Sequence, residues 1–164
     1  MDTRREPLDA DLFDRCWKVV WPVVYSLVGD RAHAEDAAQE SLVRIFRAFD
    51  RFDSTRPLEP WVRKIATNVA LSQLRRRRPE LSLDESGPFE PDWHDADAGS
   101  GEDVRTAVAR LEPTRRAVVI LHYWLDRPVR EIAEILDLPL GTVASHLSRA
   151  RDELRLSLED RYVG

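Results

Sequence analysis

The sequence contains few cysteines and glycines and no long apolar run. Cys16 is its single cysteine, and glycine occurs six times in 164 residues. One cysteine cannot form an internal disulfide, and no Cys or His spacing typical of a metal site occurs. The longest apolar stretch, residues 19–28, is too short to cross a bilayer, and the N-terminus lacks the apolar stretch of a secretory signal. We therefore expect a cytoplasmic protein in which Cys16 is a buried thiol.

Strand patterns and catalytic motifs are also absent. No useful length of sequence alternates apolar and polar residues, so an all-α fold is predicted. We find neither a glycine-rich phosphate loop nor a nucleophile motif, and the four histidines are scattered. They are His33, His94, His122 and His146. We expect no enzyme, no cofactor and no bound metal.

Acidic charge is concentrated in one segment. The formal net charge of −5 argues against a nucleic-acid partner only if the charge is spread evenly. Residues 79–104 carry nine acidic and no basic side chains, together with three prolines and three glycines. Such a composition buries too little apolar surface to offset the entropy of ordering. We interpret residues 79–103 as a flexible acidic linker between two small helical domains, residues 1–78 and 104–164.

Three helices are predicted in the first domain from apolar residues at helical spacing. The first covers residues 8–28 and ends at Gly29. The second follows the N-cap Asp30 and runs to about Phe49. The third spans residues 61–78.

The polar faces of the second and third helices carry candidate binding residues. On the second helix, an acidic cluster near the start also suits the helix dipole, which is the structural alternative. The third helix ends in four consecutive arginines, Arg75–Arg78. Arginines hold phosphate oxygens in pairs and aromatic rings stack on bases, so this helix, with Phe52 and Trp61, suits single-stranded DNA. Core packing of Trp61 is the alternative. The predicted outward residues of the third helix are Arg63, Lys64, Thr67, Asn68, Ser72 and Arg75.

A helix-turn-helix pattern occupies residues 130–154. The turn is predicted at residues 137–140, with a chain reversal at Gly141 and a capping side chain at Thr142. The second helix would bury Val143, Leu147, Ala150 and Leu154 and present Thr142, Ser145, His146, Arg149 and Arg151 outward. An ordinary helical hairpin shares this pattern. Two preceding helices, residues 104–111 and 114–124, would supply Val108, Leu111, Val118, Leu121 and Trp124 to the core.

Four segments in order carry a family resemblance: GDRAHAEDAAQESLVRIFRAFDRFD, PLEPWVRKIATNVALSQLRRRR, LEPTRRAVVILHYW and REIAEILDLPLGTVASHLSRAR. Together they resemble an extracytoplasmic-function sigma factor, the minimal two-domain type of the sigma-70 family of bacterial RNA polymerase subunits. The first two segments are similar to the family's region 2 and the last two to its region 4. Each string alone is moderately specific, whereas the ordered set is highly specific.

The resemblance implies a factor that binds core RNA polymerase and directs promoter-specific initiation, including melting of the minus-10 element. It assigns Asp36, Gln39, Glu40 and Arg44 to polymerase binding. It assigns Phe52, Trp61, Lys64, Asn68, Arg75 and Arg76 to single-stranded minus-10 DNA. It assigns Thr142, Ser145, His146, Arg149 and Arg151 to the duplex minus-35 element. An anti-sigma partner and a monomeric free state are further expectations.

Three positions depart from the family pattern. Ala144 and His146 stand where the family often has a fixed positive charge, which predicts weaker phosphate anchoring or an altered promoter preference. Ser72 stands where the family commonly has Asp. Two other classes remain as alternatives: a dimeric one-component or response-regulator-type DNA-binding protein, and an enzyme. A polymerase-binding assay separates the first of these from a sigma factor.

Overall fold

The computed structural model describes residues 10–83 and 101–162, and these ranges contain helices and no strand. Seven α-helices follow in order: α1 Ala10–Val28, α2 Arg31–Ala48, α3 Leu58–Leu83, α4 Gly101–Ala109, α5 Pro113–Val119, α6 Val129–Leu136 and α7 Leu140–Tyr162. A 3-10 turn, Phe49–Arg51, follows α2, and a π-helical turn, Ile120–Trp124, follows α5. The predicted all-α fold is confirmed.

The junction between α1 and α2 agrees with its local sequence. Gly29 takes a φ of 78°, which a residue without a Cβ adopts at no steric cost, and α1 ends there. Asp30 then caps α2, because its carboxylate accepts the backbone N–H of His33 at 2.9 Å. Both the predicted end and the predicted N-cap are confirmed.

The helix α3 differs from its prediction in length and in its buried arc. It begins at Leu58 rather than Trp61 and continues past residue 78 to Leu83. Thr67 is fully buried, not outward, and the Arg63 side chain is only 13% exposed. The reason is that α3 packs on α1 and α2 along one side and on α5 and α6 along another, so little of its circumference remains exposed. Residues 84–100 of the predicted linker lie outside the described residues.

The second helix of the C-terminal core ends differently from its prediction. Glu112 caps α5, because its carboxylate accepts the backbone N–H groups of Thr114 and Arg115. Val118 and Leu121 are buried as predicted, but Trp124 is 45% exposed and not a core residue. The π-helical turn explains the error, because its wider spacing rotates the last residues away from the face that a regular α-helix would bury.

The turn of the helix-turn-helix is made by Asp137. This residue takes left-handed angles, φ 51° and ψ 44°, and ends α6. α7 already begins at Leu140, so Gly141 lies inside the helix and makes no reversal, and Thr142 is not its cap. The carbonyl of Pro139 accepts the N–H groups of Thr142 and Val143 instead. α7 also continues beyond Leu154 to Tyr162, although Val143, Leu147 and Ala150 are buried as predicted.

The N-terminal half, α1–α3, and the C-terminal half, α4–α7, share a core. Val108, Leu111 and Ile120 pack in the same buried cluster as the apolar stripes of α1, α2 and α3. A smaller cluster holds the helix-turn-helix together and consists of Val118, Leu121, Ile132, Ile135, Val143 and Leu147. Among the helices in the described ranges, none is both long and apolar enough to cross a membrane.

Candidate nucleic-acid interface

Aromatic rings and basic side chains meet at the start of α3. The ring centroids of Phe52 and Trp61 are 4.8 Å apart, and both residues are half-buried. They line a cleft of about 690 Å³ together with Arg51, Arg56 and Lys64. The cleft therefore offers ring faces on which bases stack and cations that attract a phosphate backbone.

The predicted minus-10 residues are distributed along α3. The structure brings Phe52, Trp61 and Lys64 together at the cleft, whereas Asn68 is exposed farther along the helix. Arg75 donates to the Thr114 hydroxyl at 3.0 Å. Arg76 lies 3.8 Å from Glu40, a residue predicted to bind polymerase. Two sets assigned to different partners thus touch each other at this point.

Acidic side chains of α6 form the opposite wall of the cleft, which sequence reasoning missed. Lys64 Nζ donates to Asp137 Oδ1 at 2.9 Å, and Arg63 Nη1 donates to Glu131 Oε1 at 2.5 Å. Glu131 also lies 3.7 Å from Arg127. Residues 63 and 131 are 68 positions apart, so no local pattern could have predicted their pairing.

The predicted polymerase-binding face on α2 is mostly exposed. Asp36, Gln39 and Arg44 are exposed, while Glu40 is half-buried and pairs with Arg44 at 2.5 Å. Val43, which is 46% exposed, adds an apolar surface that the sequence reasoning did not include. This face combines polar groups with a hydrophobic contact, as protein interfaces do.

The predicted minus-35 residues lie along the first turns of α7. Ser145, Arg149 and Arg151 are exposed, whereas Thr142 and His146 are half-buried. Nδ1 of His146 is buried and has no hydrogen-bond partner among the described residues. The exposed positive charge of this face comes from its arginines.

Cys16 and Asp30, which lie outside these faces, have shifted pKa values. Cys16 is fully buried as predicted, and burial raises the pKa of its thiol, with smaller opposing effects of Arg15 and Glu59. Burial also raises the pKa of Asp30, but hydrogen bonds from the His33 backbone and ring outweigh it, and the net pKa is lowered. The described residues hold no group of three or more His, Cys, Asp or Glu side chains arranged for a metal ion.

Comparisons with known proteins agree with this arrangement. Residues 12–80 match sigma-70 region 2, and residues 101–154 match sigma-70 region 4. The chain is 30% identical to the ECF RNA polymerase sigma factor SigW of Bacillus subtilis, over 92% of this chain and 89% of SigW. It is 33% identical to SigE of Mycolicibacterium smegmatis, over 83% of this chain and 56% of SigE.

Among solved structures, the sigma factor RpoE of Bartonella quintana, in complex with the anti-sigma factor NepR, resembles this chain with a TM-score of 0.69. The two are 26% identical over 92% of this chain and 98% of that one. An all-α chain with both sigma-70 regions in this order is a transcription initiation factor. The chain belongs to the sigma-70 family, in its extracytoplasmic-function (ECF) group, and so directs transcription initiation by RNA polymerase.

Proposed function

We propose that this chain binds core RNA polymerase through α2 and positions it at promoters through two DNA-binding faces. The single observation that carries the proposal is the cleft where the rings of Phe52 and Trp61 lie 4.8 Å apart beside Arg51, Arg56 and Lys64. The segment of residues 1–78 serves polymerase and minus-10 binding, and residues 104–164 serve minus-35 binding.

At the minus-10 element, the cleft and the exposed side of α3 hold the separated non-template strand. Phe52 and Trp61 stack on bases, Lys64, Arg75 and Arg76 hold the sugar-phosphate backbone, and Asn68 contacts a base edge. Melting follows because the chain binds the open strand better than the duplex, so binding free energy offsets unpairing. The role needs no covalent chemistry, and we therefore propose that the chain is not an enzyme.

At the minus-35 element, the first turns of α7 enter the major groove. Ser145 and Arg149 face the bases or backbone, flanked by Thr142, His146 and Arg151. Because Ala144 and His146 supply no fixed charge, we propose that this face binds duplex DNA weakly alone. Attachment to polymerase and simultaneous minus-10 contact then raise its effective concentration at a promoter.

On α2, exposed Asp36, Gln39 and Arg44 dock on the clamp coiled coil of the largest polymerase subunit, with Glu40 oriented by Arg44.

The free protein is a monomer in the cytoplasm, where polymerase acts. An anti-sigma factor covers the same faces. The support for this partner is that RpoE of Bartonella quintana, similar over nearly its full length, is solved in complex with an anti-sigma factor.

In-vitro transcription with core polymerase and a randomised promoter library tests the proposal. We expect promoter-specific transcripts only when the chain and core enzyme are both present. Phe52→Ala should leave core binding intact and lower the permanganate reactivity of minus-10 thymines, because one stacking surface is lost. Phe13→Ala, which removes an exposed phenyl ring from α1, is the control. The absence of any promoter-specific product from folded protein would contradict the function.

A further inference from the structure

We propose that the minus-35 face of α7 recognises a thymine through its methyl group, which packs against an apolar patch formed by Leu140, Gly141 and Ala144. This inference rests on the proposed minus-35 role of α7 and specifies the base chemistry that this face selects. Among the four standard DNA bases, only thymine carries a methyl group in the major groove. The ligand of the apolar patch is therefore defined by one group of atoms.

The apolar patch lies at the start of α7, on its exposed side. Residues four apart occupy one side of a helix, and two adjacent rows of this kind make up the exposed face. The rows are Leu140, Ala144 and Ser148, and Gly141, Ser145 and Arg149. All six residues are exposed, and of the six only Arg149 carries a charge. The face is thus apolar in its first turn and becomes polar and basic farther along the helix.

Leu140 is an exposed leucine that packs in neither hydrophobic core. It is the first residue of α7, it is 53% exposed, and neither buried cluster of the described residues includes it. Side chains at the start of a recognition helix are those that contact base edges in the major groove. A leucine at that position presents methyl groups and no hydrogen-bonding group, so the base feature that it matches is the thymine methyl.

Gly141 and Ala144 allow a duplex to approach the helix closely. A Cβ added to Gly141 would meet no atom within 4 Å, so the packing of the protein does not require a glycine there. Glycine is unfavourable inside a helix, but it lets a ligand come close to the backbone. Ala144, one turn after Leu140, adds a second methyl group to the patch and no charge. The small side chains therefore leave room for a base edge beside Leu140.

The residue types of the apolar patch exclude the other common base contacts. Arginine or lysine pairs with guanine, and asparagine or glutamine pairs with adenine, through two hydrogen bonds. Positions 140, 141 and 144 hold none of these side chains. Arg149 lies on the adjacent row about two turns farther along. A guanine or phosphate contact is thus assigned to Arg149, and the thymine contact to the apolar patch.

Uracil substitution in promoter DNA tests the methyl contact. Deoxyuridine pairs with adenine as thymidine does and lacks only the methyl group. The assembled holoenzyme first selects a minus-35 sequence from the randomised promoter library, and each thymine of either strand is then replaced singly by uracil. We expect at least one thymine whose replacement lowers the affinity of the holoenzyme for the promoter about fourfold, which is the loss expected for one buried methyl group.

Three variants assign this preference to Leu140. Leu140→Ser should remove it, so that the thymine and uracil promoters bind equally. Leu140→Met keeps an apolar side chain of similar volume and should retain it. Leu156→Ser is the matched control, because Leu156 is 58% exposed in the far part of α7, and it should keep the fourfold ratio. Each ratio compares two promoters with the same protein, so a general loss of folding or assembly cancels.

The outcomes separate the two proposals. If no thymine of the selected minus-35 sequence is sensitive to uracil, or if Leu140→Ser keeps the wild-type ratio, the methyl contact is overturned and the proposed function stands. A holoenzyme that selects no minus-35 sequence would overturn the proposed minus-35 role and this inference with it.

Discussion

The halves α1–α3 and α4–α7 of this chain are built from helices of different lengths. The helices α1, α2 and α3 have 19, 18 and 26 residues. In the second half α7 has 23 residues, but α4, α5 and α6 have only nine, seven and eight. Helices this short are marginal without tertiary contacts. α4 and α5 obtain those contacts from the first half, because Val108, Leu111 and Ala117 pack in its core. The second half therefore packs on the first half and shares its hydrophobic core.

The two proposed DNA-binding faces also differ, in how open they are to solvent. The cleft beside α3 is walled by carboxylates of α6, whereas Ser145 and Arg149 on α7 are exposed. The proposed minus-35 side chains are thus open to solvent, whereas carboxylates line the proposed minus-10 cleft. This contrast predicts different responses to substitution in the two halves.

The largest effect is expected at the proposed polymerase-binding face of the first half. Asp36→Arg with Gln39→Ala should abolish co-purification with core polymerase, because a reversed charge at the centre of an interface repels its partner. Both side chains are exposed, so circular dichroism should be unchanged. Asp160→Arg, an exposed reversal in the second half, is the control and should still co-purify. Retained core binding by the double variant would remove α2 from the proposed interface.

The next largest effect is expected where the halves join. Arg116→Met should lower the free energy of unfolding by about 3 kcal/mol, because the buried carbonyls of Leu27 and Ala109 lose their donor. Urea unfolding measures the change, and Arg110→Met, at an exposed position, is the control. A loss of less than about 1 kcal/mol would show that the halves do not depend on this contact.

A smaller effect is expected on the open face of α7. If the guanidinium of Arg149 contacts a base, Arg149→Ala should weaken minus-35 binding by about 1 to 3 kcal/mol. If it holds a phosphate, the variant should reduce the slope of the logarithm of the binding constant against the logarithm of salt concentration by about one. Promoter titrations with assembled holoenzyme at several salt concentrations distinguish the two contacts. Arg155→Ala, farther along the exposed side of α7, is the control. Unchanged transcription with normal assembly would contradict the assignment of Arg149.

The smallest effect is expected at the cap of α2. Asp30→Ala should destabilise the chain by about 1 kcal/mol near neutral pH. The folded pKa of Asp30 is lowered, so its contribution is complete above the unfolded pKa and is lost as pH falls through the folded pKa. The difference between wild type and variant should therefore vanish in acid. A difference that persists there would mean that the loss comes from packing and not from the carboxylate.

Features set by neighbouring residues were predictable. Gly29 and Asp30 mark a helix end and start through their own conformational and hydrogen-bonding preferences, and the structure agrees with both. The spacing of Val143, Leu147 and Ala150 predicted a buried stripe, which is present. The four segments in order identified the family, since sequence strings reflect the surfaces that its members share.

Features that depend on distant segments were not predictable. Thr67 looked exposed because periodicity assumes one buried face, but α3 is packed on two sides. Trp124 looked buried because a π-helical turn has no clear sequence signal. Thr142 looked like a cap because Ser and Thr are favoured there, yet Asp137 turns the chain earlier.

The sequence by itself determined the helices, the two sigma-70 regions, and the candidate residues for polymerase and DNA. These depend on local propensity, on hydrophobic period and on residue type, which the order of amino acids contains directly. Only the tertiary structure decided that Arg63, predicted to face outward, pairs with Glu131, and that Lys64, assigned to minus-10 DNA, pairs with Asp137. Complementary charges far apart in the chain are paired by the packing of the helices that carry them, and no sequence period records that packing.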